Sequence, residues 1–175
     1  MDFSQQNNID REFYTKDFPA VNVLLHRIRE AFVSGCDVLL DDLDLGEIIK
    51  FDNRLTYVYI TIFQEGLKPI RWGACRQTLT ETINRDISQI KDNKSYSNFD
   101  IANPKVCRIM LEYITEQVPT TLEEIKSASF DSKRFEPGIT GIKLNYEGKT
   151  YIYTPSEAWS NSQMDLKLAL NTILR

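Results

Sequence analysis

Histidine is nearly absent from this chain: His26 is the only one in 175 residues. That excludes zinc centres built on several imidazoles, and it leaves one residue to serve any Ser–His–Asp or Cys–His relay. Cysteine is scarce as well. Cys36, Cys75 and Cys107 form no C-x-x-C pair, and three is an odd number, so a disulfide framework is not expected and a reducing cytoplasm is. No stretch approaches the roughly 18 consecutive apolar residues of a membrane span, so no membrane association is expected. The start, MDFSQQNNIDREFYTKDF, lacks the apolar core of a secretory signal. The chain has neither a P-loop nor a dinucleotide fingerprint, so no cofactor is expected. Positive charge is also short, with 21 Lys and Arg against 25 Asp and Glu. A nucleic-acid partner would need a basic patch working against that overall field and is disfavoured.

What the chain does have is apolar and aromatic material. Hydrophobic residues make up 42%, with nine Phe and eight Tyr, enough for a sizeable core and against disorder. The length fits one domain, or two small lobes sharing a core. Residues 1–16 read as a polar lead-in and residues 17–175 as the domain.

Apolar spacing supplies the elements. Val21, Leu24, Leu25, Ile28, Ala31 and Phe32 fall on one helical stripe between about residues 18 and 33. Asp17 can cap that helix, Pro19 suits its first turn and Gly35 can end it. DVLLDDLDLGEIIKF then mixes acids with leucines and reads as a short helix or an irregular acidic segment. Residues 54–63 are rich in Tyr, Ile, Val and Thr and suit a strand, returned by residues 67–74 after a turn at Glu65 and Gly66. Thr78-x-x-Glu81 has the pattern of a capping box, and Leu79, Ile83, Ile87 and Ile90 continue it as an amphipathic helix. KVCRIMLEYITEQV alternates as a strand. Thr121-x-x-Glu124 is a second capping box for a short helix. Residues 140–154 read as a hairpin turning at Glu147 and Gly148, and a last helix starts near Ser162. The order predicts an α+β domain with an antiparallel or mixed sheet of about five strands flanked by helices.

One junction stands out chemically. In KPIRWGACRQTLTE, Arg71 and Arg76 flank the point where a strand feeds a helix. The first amides of a helix have no intrahelical partners, and with the helix dipole they favour an anion. Arg71, Gly73, Arg76 and Thr78 are therefore the candidate anion-binding residues. Gly73 would let a ligand approach the backbone, and the positive surroundings would favour the Cys75 thiolate, making Cys75 the candidate nucleophile. The plainer reading is that Cys75 and Trp72 pack and the arginines pair with acids. Elsewhere the plain readings lead. His26 lies off the apolar stripe and faces solvent. Asp37, Asp41, Asp42, Asp44 and Glu47 lack the spacing of an EF-hand and read as a solvated edge, so no metal is expected. Tyr151, Tyr153 and Trp159 could stack on a ring but more simply fill the space beneath the closing helix.

The last third, GITGIKLNYEGKTYIYTPSEAWSNSQMDLKLALNTILR, resembles the AMMECR family of small α+β domains. Gly138, Gly141, Pro155, Trp159, Leu170 and Leu174 stand where that family has its glycine lead-in, proline, tryptophan and leucine-rich closing helix. The family's signature runs leucine, arginine, glycine, cysteine, isoleucine, glycine. Here Arg71, Gly73 and Cys75 keep the order, with extra residues between them and without the second glycine. The resemblance spans about residues 55–175. It implies a two-lobed domain with a five-stranded antiparallel sheet, the signature lining a cleft between lobes, and a catalytic or binding role in nucleotide or RNA metabolism. Because the departure falls on the signature itself, the reading adopted is a non-catalytic interaction or accessory module. Its anion-binding turn spans residues 71–77, and its partners are a protein or a small anion. The alternative is an enzyme that acts on a small anionic or nucleotide-like substrate through Cys75 and Arg71.

Overall fold

The stripe of Leu24, Ile28, Ala31 and Phe32 is the face that helix α1 (Pro19–Ser34) buries. Pro19 is its first residue, where a missing N–H costs nothing. Gly35, at φ +79°, ends it, its N–H donating to the Ala31 carbonyl at 3.0 Å. The computed structural model describes residues 19–45, 57–114, 117–121, 123, 140–160 and 166–173. The expected cap at Asp17, the helix expected after Thr121 and part of the acidic segment lie outside this set.

The sheet is built around one strand. β1 (Val58–Gln64) pairs antiparallel with β2 (Ile70–Ala74) on one side and with β3 (Cys107–Tyr113) on the other. Thr61 stands opposite Arg71 and also opposite Met110, which fixes the register across all three strands. Gly66, at φ +79°, makes the turn between β1 and β2. Alternation then sorts the side chains. Val58, Ile60 and Ile62 have no exposed surface and join Ile70, Cys107, Leu24, Ile28 and Phe32 in the main core. Tyr59 and Thr61 point to the other face and are buried too. A strand buried on both faces needs cover on both.

One cover is α1 together with α2 (Leu79–Lys91), which buries Ile83, Ile87 and Ile90. The capping box forms as expected: Thr78 Oγ1 accepts the Glu81 N–H at 3.1 Å, and Glu81 Oε2 accepts the Thr78 N–H at 3.2 Å. Asn84, on α2, bonds both the N–H and the carbonyl of Val38. This holds residues 35–45 as an irregular strap with Val38, Leu40 and Leu45 turned inward. Of the two readings offered for that segment, its described part takes the irregular one. A short 3₁₀ turn (Tyr96–Asn98) lies between α2 and β3.

The other cover is a small lobe. β4 (Ile142–Tyr146) and β5 (Lys149–Tyr153) form a hairpin whose turn residues, Glu147 and Gly148, both have positive φ, as a tight two-residue turn requires. α3 (Pro155–Ser160) follows directly, then α4 (Leu166–Ile173). Tyr153 and Ala158 are buried there against Ile142 and Ile173. The class is α+β, but the expectation of one sheet of about five strands is corrected: the described strands divide into a sheet of three and a sheet of two. The hairpin gives way to α3 at Pro155, and the lobe meets the large sheet through side chains of α3 on its face, not through ladder hydrogen bonds at its edge.

Replacing Thr78 with Ala removes the acceptor for Glu81 N–H and leaves the residue-78 N–H donating to the Glu81 carboxylate, so half of the capping box is lost. Urea denaturation should show a loss of about 0.5–2 kcal/mol with an unchanged m-value.

Candidate functional site

The residues singled out around the β2–α2 junction separate into two places. Arg71 and Gly73 lie on the small-lobe face of the sheet, beside Tyr59 and Thr61. Arg76 and Thr78 belong to the start of α2, where the backbone N–H of Arg76 donates to Thr82 Oγ1 at 3.0 Å. The first turn of α2 already has a carboxylate of its own in Glu81. Cys75 follows β2 directly and is half-buried. The space above Gly73 is filled by protein: a Cβ built there would lie 2.0 Å from Tyr59 Cδ1. Glycine is required at that point so that the Tyr59 ring can lie across β2.

Arg71 is engaged through Nη1 and through the face of its guanidinium. Nη1 donates to Thr154 Oγ1 at 2.6 Å and sits 3.0 Å from Glu157 Oε2. The guanidinium carbon lies 5.1 Å from the centre of the Tyr59 ring. Tyr59 stacks in turn on Tyr57, and Lys143 of β4 lies over Tyr57 at 5.9 Å. Two cations, one from each sheet, therefore lie over a pair of stacked rings.

Behind Arg71 is a buried polar network. Thr154 and Glu157 cap α3, with Glu157 Oε2 accepting the Thr154 N–H at 3.1 Å. Glu112 reaches from β3 to the same turn, where Oε1 accepts the Ser156 N–H at 2.7 Å and Oε2 accepts the Ser156 hydroxyl. Ser156 Oγ also lies within hydrogen-bond distance of Thr154 Oγ1 (3.0 Å) and of Thr61 Oγ1 (3.3 Å). Thr61, Thr154 and Ser156 are each at most 5% exposed, so solvent does not share these contacts. Two carboxylates at the N-terminus of α3 also match the sign of its dipole.

Burial perturbs the acids and phenols here. It raises the Glu157 carboxyl above its ordinary range, and Glu112 adds to this while Arg71 opposes it. It pushes Tyr59 up to about 12 against the pull of Arg71. On α2, burial pushes Asp86 up to about 8 against the pull of Arg76.

The other candidates lie elsewhere. His26 is exposed beside Glu30, with Nδ1 3.5 Å from Oε1. Asp42 pairs with Arg27 at 2.6 Å, and that hydrogen bond holds its carboxyl below the usual carboxylate range. Among the described residues no three His, Cys, Asp or Glu side chains gather as metal ligands. Nor is any described helix long and apolar enough to cross a membrane. Tyr153 is buried, Tyr151 is 37% exposed, and the Trp159 side chain lies outside the described set. An open cleft of about 800 Å³ runs along the outer side of α1, past Val33, Cys36 and Leu39. No protein-family model, curated protein or solved structure matches the chain.

Sequence reasoning found Arg71 but missed its partners. Thr154-Pro155-Ser156-Glu157 repeats the Thr-x-x-Glu pattern, with proline at the first helical position, and that signal marked α3. The alternation of β3 put Glu112 on the face opposite Cys107, Ile109 and Leu111, with no sign of its contact. Asp86 was also visible, one residue before Ile87 and so at the edge of the apolar stripe.

Replacing Arg71 with Met keeps an unbranched apolar stem and leaves Glu157 half-buried without its cation. Urea denaturation should show a loss of about 1–3 kcal/mol, of which the added Glu157→Gln change recovers part. Purely additive losses would mean that the pair does not couple the lobe to the sheet.

Proposed function

We propose that this chain is a non-catalytic interaction module with an AMMECR-like fold, working in a reducing cytoplasm and presenting the β2 side of its sheet to a protein partner. The observation that carries this reading is the internal engagement of Arg71 by Glu157, Thr154 and Tyr59. The guanidinium that was the leading candidate for an incoming anion already has a carboxylate, a hydroxyl and an aromatic face. Beside it, Trp72 is 45% exposed, although its strand neighbours Ile70 and Ala74 are buried. A half-exposed tryptophan on a rigid strand suits a contact anchor, since tryptophan loses little side-chain entropy for the area it covers. In the anion-binding turn at residues 71–77, Arg76 and Gln77 are the exposed polar groups, and they would supply a rim for an acidic patch on the partner.

The enzyme alternative rests on Cys75, and thiol reactivity separates the two readings. Cys36 is exposed, Cys75 is half-buried, and Cys107 is buried with its thiol pushed up by burial. Alkylation by iodoacetamide at neutral pH, followed site by site in a mass spectrometer, should run Cys36 first, Cys75 second and Cys107 last. Modification of Cys75 ahead of Cys36 would mark an activated thiolate and overturn the non-catalytic reading.

A further inference from the structure

The buried face of α2 contains one group that does not fit a core. Thr82, Ile83, Asp86, Ile87 and Ile90 form that face, and Asp86 has no exposed surface. Neither oxygen of its carboxyl has a hydrogen-bond partner among the described residues. Thr82, one turn earlier, is also fully buried, but its hydroxyl donates to the Thr78 carbonyl at 2.8 Å and accepts the Arg76 N–H. The polar members of this face are thus treated differently, one satisfied and one not. The apolar members of the same face, Ile83, Ile87 and Ile90, belong to the main core that α1 shares. Around Asp86, the loop from β2 contributes the charge of Arg76, and β1 contributes Tyr59, whose phenol feels the Asp86 carboxyl in turn. A carboxylate in such a place would lack both water and hydrogen bonds, whereas the neutral acid avoids most of that cost.

We propose that Asp86 is a proton-operated latch between α2 and the sheet: with its proton held, α2 lies closed on β1 and β2, and loss of the proton loosens that joint. The feature does not rest on the interaction reading, although it shares Arg76 with the proposed rim and Tyr59 with the Arg71 site. Its direction follows from linkage. The folded chain holds this proton more tightly than the unfolded chain does. The stabilisation is therefore complete below the ordinary carboxylate range, is lost as pH rises through neutrality, and reaches a plateau above about pH 8. Mild alkalinisation within the physiological range would weaken the grip of α2.

The test compares the full chain with its Asp86→Asn variant, which cannot ionise at that position, by urea denaturation from pH 5 to pH 9. All other titrating groups are common to both, so the ratio of their unfolding constants isolates Asp86. That ratio should change on the order of 100-fold between pH 5 and pH 7.5, approaching tenfold per pH unit, and then level off. A ratio independent of pH overturns the proposal. Should the Asn variant not fold, carboxyl-carbon NMR of the wild-type chain and of Arg76→Ala provides a second measurement. Asp86 should titrate near neutrality or above in the wild type and higher still without Arg76, and a midpoint near 4 in the wild type overturns the latch.

Discussion

Glu112 reaches from the edge strand of the large sheet to the first turn of α3 and takes both the backbone N–H and the hydroxyl of Ser156. The position of the small lobe depends on this contact and on the Arg71–Glu157 pair beside it. Together they place one acid and one base of the sheet against the start of a single short helix. Hydrogen bonds to charged groups are directional, and a half-made one in a dry place is costly. Such a junction therefore tolerates one orientation and penalises its neighbours. An apolar seam would hold the lobe as firmly but would let it slide.

The two faces of the sheet are consequently held by different physics. Toward α1 and α2 the contacts are Val58, Ile60 and Ile62 against Leu24, Ile28 and Ile83, where removal of area from water dominates and shape sets the detail. Toward the small lobe they are Thr61, Arg71, Glu112, Thr154 and Ser156, joined by hydrogen bonds. Tyr59 belongs to both kinds of contact. Its ring covers Gly73 as a hydrophobe would, while its face receives the Arg71 cation. A glycine that read as room for a ligand is instead room for this ring.

Periodicity made the apolar half legible. The stripe of α1, the capping box of α2, the pairing of β1 with β2 and the tight hairpin turn at Glu147 and Gly148 all follow from local patterns, because those elements are specified by neighbours three or four residues away or directly across a turn. The polar half was less legible for a physical reason. Ser156 and Glu112 are 44 positions apart, as Arg71 and Thr154 are 83 apart, and no local rule joins them. The start of α3 was within reach, since Thr154 and Glu157 repeat the pattern already used for Thr78 and Glu81. It was absorbed into the hairpin because the alternation of Tyr151 and Tyr153 runs up to it. The division of five strands into two sheets was not legible at all, because strand patterns do not say which strands pair.

The treatment of charge bears directly on what the chain does. A pocket that grips an anion keeps a cation unspent and moves carboxylates away from it. This fold does the reverse at both of its notable ionisable positions. Arg71 is given Glu157, with Glu112 close behind, so its charge is used within the molecule. Asp86 has no hydrogen-bond partner among the described residues, and Arg76 acts on it only through its charge. The chain thus spends the arginine of β2 on its own architecture and leaves the tryptophan at the adjoining position of the same strand 45% exposed, and an anion could claim Arg71 only by undoing the contact that joins the small lobe to the sheet.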